Sequence, residues 1–298
     1  MIPTTTTIFD LIEQIAKQLA PRYEDYTLCH QYAWWMVQAV KHEKQASLIG
    51  QNKIHLTTDQ HKTLYIWIEK QVKEYMPLQY LLQAMPFNDV AIFVEPPILI
   101  PRPETEEWCA SLIDSLKSAN IKQISILDLC SGSGCIALSL AKAIPHSSFF
   151  ASDISEQAVA LGKRNAQHNK INNVQFLKSD LFDQIPPYTF DIIVSNPPYI
   201  DEQEWQYLDQ GVARWEDKQA LIAPDGGLAI IKKIIERAQG YLQKNEKLVQ
   251  ANIPQLLIEI DHTQGAQVKD IMEKAGFTCV QIKQDLEGKD RVATASML

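Results

Sequence analysis

The sequence has no excess of basic residues, few cysteines and no long apolar run. Its 298 residues carry 28 Lys plus Arg against 36 Asp plus Glu, a net charge of −8, which disfavours stable binding of nucleic acid through its phosphates. The five cysteines are odd in number and form no Cys-x-x-Cys pair, and the seven histidines are scattered, so no metal is predicted. Because no run of about 18 apolar residues and no basic, apolar leader occurs, we expect a cytoplasmic protein that does not bind membranes.

Three regions of different pattern divide the chain. Residues 8–83 repeat apolar positions at helical spacing, with breaks near Pro21 and around Gly50, which predicts four or five helices packed as a bundle. Four prolines between positions 96 and 103 predict a stiff connector that follows a hairpin. We therefore expect an N-terminal helical bundle at 1–83, a hairpin and linker at 84–103, and a catalytic domain at 104–298.

The catalytic region alternates β-prone and helical stretches after a first helix at 104–117. We predict seven strands, at 124–129, 148–152, 174–178, 190–195, 255–260, 279–284 and 292–297. The alternation predicts a parallel, doubly wound α/β sheet, whereas the last two strands must pair antiparallel because only a short loop joins them. A seven-stranded sheet with an antiparallel last hairpin is the layout of class I methyltransferases.

The fourth predicted strand runs directly into Asn196-Pro197-Pro198-Tyr199. Open α/β sheets bind ligands at the carboxyl ends of their strands, so this loop is a candidate substrate site. Neither proline has an N–H to donate, and the carbonyls of Asn196 and Pro197, together with the side-chain oxygen of Asn196, form a wall of acceptors that suits a planar NH2 group. We expect Tyr199 to lie flat against that group. Taken alone, the same residues could simply end a strand.

The turn after the first strand predicts a cofactor site. It reads Cys130-Ser131-Gly132-Ser133-Gly134 and precedes a helix, and small residues at that point let a ligand lie against the backbone.

Two acidic residues complete this prediction. Asp153, at the end of the second strand, can hold both hydroxyls of a ribose, while Asp180 can accept the adenine amino group and Leu181 or Phe182 can cover the ring. Asn196 is expected to touch the cofactor as well. These residues predict an adenosine-containing cofactor.

The glycine spacing distinguishes between two such cofactors. The dinucleotide fingerprint needs a third glycine for a pyrophosphate, and here position 137 is Ala with no later glycine in register. S-adenosylmethionine has no phosphate to bind. Together with the acceptor loop, the spacing predicts methyl transfer from S-adenosylmethionine to a planar nitrogen, with S-adenosylhomocysteine as the product.

Four stretches carry a resemblance to a known family. They are Pro-Leu-Gln-Tyr at 77–80, Leu-Ile-Pro-Arg-Pro-Glu-Thr-Glu at 99–106, Ser-Asn-Pro-Pro-Tyr-Ile at 195–200 and Asp-Leu-Glu-Gly-Lys-Asp-Arg-Val at 285–292. From about Pro77 to its end the chain resembles the protein-(glutamine-N5) methyltransferases of the HemK/PrmC type, which modify class 1 peptide chain release factors. The chain departs from the family at Cys130, usually a glycine, at Leu181, often aromatic, and at Glu216-Asp217, usually Glu-Pro.

The resemblance implies a helical N-terminal domain joined through a hairpin to a methyltransferase domain that uses S-adenosylmethionine. It also implies that the methyl acceptor is the glutamine of the Gly-Gly-Gln motif of a release factor, in support of translation termination. Since an acceptor pocket cannot tell one glutamine from another, we expect the helical domain to recognise the body of the release factor.

Two other functions compete with this one. An N6-adenine or N4-cytosine methyltransferase would present the same loop to the exocyclic amine of a base, but the net charge of −8 and the lack of a basic recognition domain argue against it. A module that binds S-adenosylmethionine or a translation factor without turnover would have no use for the acceptor wall.

Overall fold

The computed structural model of the chain describes residues 5–297. These residues form two compact units, one that extends to Gln83 and includes Asp209–Trp215, and one made of Ala84–Leu208 and the chain from Glu216 onward. No helix within the described residues combines the length and the apolar character that crossing a membrane requires.

The helical unit contains five helices before Gln83, as the apolar periodicity predicts. They are Ile8–Leu19, Tyr26–Lys41, Gln45–Ile49, Thr58–Glu74 and Leu78–Leu82. Their starts follow from side-chain caps: Thr7 and Asp25 accept backbone N–H bonds, and Thr57 forms a capping box with Gln60, which satisfies donors that a helix start leaves free. Two-residue strands at Thr5–Thr6 and Ile54–His55 pair antiparallel and were not predicted, because so short a strand has no periodicity.

The segment Asp209–Trp215 belongs to the helical unit although it follows the Asn-Pro-Pro-Tyr loop in sequence. It contains the short helix Gln210–Trp215. Arg22 forms a 2.6 Å ion pair with Asp209, and the indole N–H of Trp215 donates to the Glu74 carbonyl at 2.9 Å. These contacts attach seven residues of the chain's second half to the helical unit.

A hairpin of Ala84–Phe87 and Val90–Phe93 opens the second unit, as predicted. The fully buried Asn165 binds it: its amide oxygen accepts from the Phe93 N–H at 2.8 Å, and its amide nitrogen donates to the Phe93 carbonyl at 3.2 Å and to the Ser133 carbonyl at 2.9 Å. One side chain therefore joins the hairpin to the predicted cofactor turn.

The second unit is built on one seven-stranded sheet. Its strands are β1 (Ser125–Leu129), β2 (Ser148–Asp153), β3 (Val174–Lys178), β4 (Ile192–Ser195), β5 (Leu256–Glu259), β6 (Thr278–Gln284) and β7 (Asp290–Ser296). All lie within two residues of their predicted bounds. The order is β6-β7-β5-β4-β1-β2-β3, and β7 is antiparallel to both β5 and β6. Because the order reverses between β1 and β4, the carboxyl ends of these two strands mark a crevice.

The helices of this unit cover the sheet and supply its connections. They are Pro103–Ser118, Cys135–Ala143, Glu156–His168, Lys218–Leu221, Ala229–Ala238, Glu246–Gln250 and Gly265–Lys274, with 3-10 turns at Glu202–Tyr207 and Gln239–Tyr241. The central strands are apolar throughout, since Ile192, Ile193 and Val194 are fully buried, as expected of parallel strands covered on both faces.

Candidate functional site

A cavity of about 360 Å³ lies at the carboxyl ends of β1 to β4. Its floor comes from the turns that follow these strands, which is where an open α/β sheet binds its ligands. The connector, through Pro97, Ile98, Leu99 and Pro101, and the later residues Asp217, Gln219 and Ala220 also line it.

Backbone conformation explains the small residues of the turn after β1. Gly132 and Gly134 have φ of 52° and 81°, a region that residues with a Cβ rarely adopt. A Cβ on Gly134 would lie 2.9 Å from the Phe176 ring, whereas one on Gly132 would meet no atom of the described residues within 4 Å. Gly134 therefore permits packing, and Gly132 leaves its backbone open to a ligand. Cys130 also has a positive φ, 59°, a conformation that favours glycine.

Asp153 lies where a ribose acceptor is expected, at the end of β2. Its two carboxylate oxygens accept from the Gly132 N–H at 2.8 Å and from the Ser155 N–H at 2.9 Å, so it also fixes the glycine turn. Burial raises the pKa of Asp153, and these backbone hydrogen bonds partly oppose that rise.

The turn after β3 presents Asp180 and Leu181 to the cavity. Ser179 shapes it, because its hydroxyl donates to the Leu181 carbonyl at 2.7 Å and accepts from the Gln184 N–H at 3.0 Å. Leu181 has a φ of 47° and is buried. A side-chain hydroxyl thus holds the residue predicted to cover adenine.

Asn196 lies at the end of β4 and lines the cavity. Its amide nitrogen donates to the Thr105 hydroxyl at 3.1 Å. Ser195, just before it, is fully buried and donates to the Leu129 carbonyl at 2.8 Å. The loop therefore starts from a fixed point between β1 and β4.

Tyr199 is held at both ends. Its hydroxyl donates to Glu259 at 3.2 Å, and its carbonyl accepts from the Gln264 amide at 2.9 Å. Gln264 also donates to the Gly226 carbonyl at 2.9 Å. Gly227 passes so close that a Cβ there would lie 1.9 Å from the Tyr199 carbonyl oxygen, so only glycine fits.

An ion pair fixes the stretch that faces the connector. Arg102 contacts the buried Glu216 at 2.5 Å, and the Asp217 N–H donates to the Pro97 carbonyl at 2.7 Å. The first contact joins Arg102, which lies in a stretch that carries the family resemblance, to Glu216, which lies where the chain departs from the family. Both contacts hold the connector against Glu216 and Asp217.

Most of the residues predicted for the site line this one cavity. They are Cys130, Ser131, Gly132, Ser133, Asp153, Asp180, Leu181, Asn196 and Pro198. Gly134, Pro197 and Tyr199 are not among the lining residues, and Pro197 is buried. Sequence reasoning missed Thr105, Asp217 and the connector residues, although the Pro-Arg-Pro-Glu-Thr-Glu motif contains Thr105 and gave a signal that could have placed it here.

The charge of the cavity is negative. Asp153, Asp180 and Asp217 line it, and no Lys, Arg or His does so among the residues that the structure describes. Such a lining favours a cationic ligand over one with phosphate groups.

These features fit S-adenosylmethionine. The open backbone at Gly132 gives space to its methionine moiety, Asp153 can accept from both ribose hydroxyls, and Asp180 with Leu181 can hold adenine. The acidic lining suits the sulfonium charge.

The chain is similar to known methyltransferases. The Methyltransferase small domain family matches residues 107–252. The release factor glutamine methyltransferase of Lactococcus lactis is 40% identical over 237 residues, which cover 79% of this chain and 83% of that protein. The enzyme of the same name from Escherichia coli is 39% identical over 216 residues, or 72% and 74% of the two chains.

Solved structures show the same fold at low identity. The catalytic domain of hMettl16 in complex with an MAT2A 3'UTR hairpin has a TM-score of 0.53 at 13% identity, covering 84% of this chain and 86% of that one. The Thermus thermophilus 16S rRNA N2 G1207 methyltransferase, in complex with AdoMet and guanosine, has a TM-score of 0.50 at 17% identity, with 70% and 47% covered.

The sheet order, the cavity and these matches define a class I S-adenosylmethionine-dependent methyltransferase. Within that class, the identities over most of both chains show that the protein belongs to the release factor glutamine methyltransferase family.

Proposed function

We propose that the protein transfers a methyl group from S-adenosylmethionine to the side-chain amide nitrogen of the glutamine in the Gly-Gly-Gln motif of a class 1 peptide chain release factor. The observation that carries this proposal is the position of Asn196 in the acidic cofactor cavity, with its amide nitrogen bound by Thr105 at 3.1 Å. An amide held in this way offers its oxygen to a substrate NH2 group.

The electronic demand of the reaction explains the need for acceptors. A carboxamide nitrogen is a poor nucleophile because its lone pair is delocalised into the carbonyl. As that nitrogen attacks a methyl group it gains positive charge, so acceptors fixed on its N–H bonds stabilise the transition state more than the ground state. Asn196 Oδ1 is the first of these acceptors, and the Pro197 carbonyl is the second in this proposal.

Binding and orientation complete the contribution of the protein. When bound, S-adenosylmethionine supplies an electrophilic methyl group on a sulfonium. Asp153 would hold its ribose and Asp180 its adenine, and the Asn-Pro-Pro-Tyr loop would place the glutamine nitrogen in line with the methyl group. No general base is needed before transfer, since the methylated, positively charged amide releases its proton to water.

In this proposal the protein acts on a release factor and forms no stable complex with nucleic acid or with a membrane. The net charge of −8 supports the choice of a protein substrate over nucleic acid. The five cysteines are free thiols, as expected of a protein from a reducing compartment such as the cytoplasm.

Separate reactions with three candidate substrates test the proposal. Purified protein and methyl-tritiated S-adenosylmethionine are incubated with release factor, with transfer RNA or with DNA. We expect label in the release factor, and a release factor with its Gly-Gly-Gln glutamine changed to alanine serves as the matched control. Label in nucleic acid, or in the control factor at the same level, would contradict the proposal.

A further inference from the structure

A buried carboxylate lies behind Asn196. Glu259 ends β5 and is fully buried. Its Oε2 accepts from the Thr105 hydroxyl at 2.7 Å and from the Trp108 indole at 2.8 Å, and its Oε1 accepts from the Tyr199 hydroxyl at 3.2 Å. Three donors around one carboxylate satisfy a group that would otherwise be costly to bury.

The donors fix the direction of every hydrogen bond in this cluster. An indole N–H can only donate, so Glu259 Oε2 is an acceptor. The Thr105 hydroxyl has a single proton, and at 2.7 Å from Oε2 that proton is directed to Glu259. The Thr105 oxygen is then left to accept, and the donor it receives is the amide nitrogen of Asn196.

This direction determines which end of the Asn196 amide is available. With the amide reversed, its oxygen would face the Thr105 oxygen, two acceptors without a proton between them. We propose that Glu259, acting through Thr105, is a positioning residue for methyl transfer that keeps the Asn196 oxygen free for the substrate amide. The inference rests on the proposed function, because only that reaction gives the oxygen its role.

The cluster also joins two stretches that lie far apart in the sequence. Thr105 and Trp108 lie in the helix Pro103–Ser118, which starts inside the Pro-Arg-Pro-Glu-Thr-Glu motif, and Tyr199 ends the Asn-Pro-Pro-Tyr loop. Glu259 contacts both. Burial raises the pKa of Glu259, and the hydrogen bonds from Trp108, Thr105 and Tyr199 and the charge of Arg291 partly oppose that rise.

Matched variants of Thr105 test the inference. Thr105→Val keeps the shape of the side chain and removes the hydroxyl, whereas Thr105→Ser keeps the hydroxyl. We expect Thr105→Val to lower kcat on release factor by about 10- to 100-fold, the range found for residues that orient the ligands of a metal site, with little change in S-adenosylmethionine affinity by calorimetry. Thr105→Ser should have a kcat close to that of the unchanged protein. An unchanged kcat in Thr105→Val would overturn the inference.

A double variant separates positioning from a general packing defect. If Thr105 acts through Asn196, then adding Thr105→Val to Asn196→Ala should cause no further loss of kcat, because the amide to be oriented is already gone. If the losses of kcat caused by the two substitutions multiply in the double variant, the inference is overturned.

Glu259→Gln should retain most activity, since its amide oxygen can still accept from Thr105 and Trp108. A loss as large as that of Thr105→Val would count against the acceptor role.

An activity-free measurement keeps this inference distinct from the proposed function. The Asn196 side-chain NH2 signals, assigned by their loss in Asn196→Ala, are followed by nuclear magnetic resonance in the full chain. We expect a shift and faster hydrogen exchange in Thr105→Val and no such change in Thr105→Ser. Unchanged signals in Thr105→Val would overturn the positioning role, whereas failure of the unchanged protein to methylate release factor would contradict the proposed function only.

Discussion

Asn196 is the single residue on which the proposed chemistry most depends. We expect Asn196→Ala to reduce turnover by about 100- to 1000-fold, the usual effect of removing one preorganised hydrogen bond from a transition state. S-adenosylmethionine affinity should change little by calorimetry, because Asp153, Asp180 and the turn at Gly132 remain. Turnover near that of the unchanged protein would remove Asn196 from the mechanism.

A second prediction at this scale concerns Asp128, which precedes the glycine turn and is buried. Its Oδ2 accepts from the Ala137 N–H at 3.1 Å, and its Oδ1 has no hydrogen-bond partner among the described residues. Burial raises the pKa of Asp128 from 3.8 to about 8. The folded state therefore binds more protons than the unfolded state between these values, so the free energy of unfolding falls as pH rises through this window.

Asp128→Asn removes that titration while keeping an oxygen for the Ala137 N–H. Urea unfolding at about pH 6 and about pH 8, without cofactor, measures the effect, since the window is set by the two pKa values. We expect the variant to gain stability relative to the unchanged protein as pH rises. A difference between the two proteins that is the same at both pH values would show that Asp128 does not titrate in this range.

At the scale of elements, the loop that holds Tyr199 contains two adjacent glycines that can serve as a test position and its matched control. Gly226 and Gly227 both have positive φ, 63° and 80°, so alanine costs about 1 kcal/mol of strain at either position. Only Gly227→Ala also drives a Cβ into the Tyr199 carbonyl, at 1.9 Å, because the nearest atom to a Cβ on Gly226 is 3.9 Å away.

We therefore expect Gly227→Ala to cost more than about 2 kcal/mol of unfolding free energy and to lower turnover, since strain and a displaced loop add. Gly226→Ala should lose only the unfolding free energy that corresponds to the backbone strain, and it should keep its methylation activity. Chemical denaturation and a methylation assay on both variants check this prediction. Equal effects of the two substitutions would mean that contact with the Asn-Pro-Pro-Tyr loop is unimportant.

The elements also show what a sequence can predict. The strands came out within two residues of their predicted bounds because each is an apolar, β-prone run bounded by turn residues. Residues predicted to bind the cofactor, such as Asp153, could be located in the fold because each lies at or just after the end of a strand. The bond between Thr105 and Glu259 joins residues 154 positions apart, and no local pattern encodes it. The positive φ of Cys130 was likewise hidden, since a cysteine gives no signal of that conformation.

At the scale of the whole molecule, we expect the helical unit to recognise the release factor while the other unit carries out the chemistry. The helical unit exposes aromatic side chains, among them Phe9 at 62% and Tyr65 at 51%, which suit a protein partner. The unit also holds Asp209–Trp215 through the Arg22 ion pair, so deleting the first 83 residues would strip that segment of its partners. A test on the full chain is therefore preferable to a truncation.

Hydrogen–deuterium exchange of the full chain, with and without release factor, provides that test. We expect slower exchange in the helices Ile8–Leu19 and Thr58–Glu74 when release factor is present, because a docked partner excludes water from the exposed face. S-adenosylmethionine alone is the control and should protect only the turns that line the cavity. Protection by release factor restricted to the methyltransferase unit would show that the helical unit does not recognise it.

The central claim is that the methyl group goes to a glutamine amide nitrogen. Mass spectrometric fragmentation of the release factor after reaction with the protein and S-adenosylmethionine tests it most directly. We predict one added methyl group, located on the side-chain nitrogen of the Gly-Gly-Gln glutamine, and much less of this product in a reaction with Asn196→Ala over the same short time. A methyl group on any other residue or atom, or an unmodified release factor, would contradict the account.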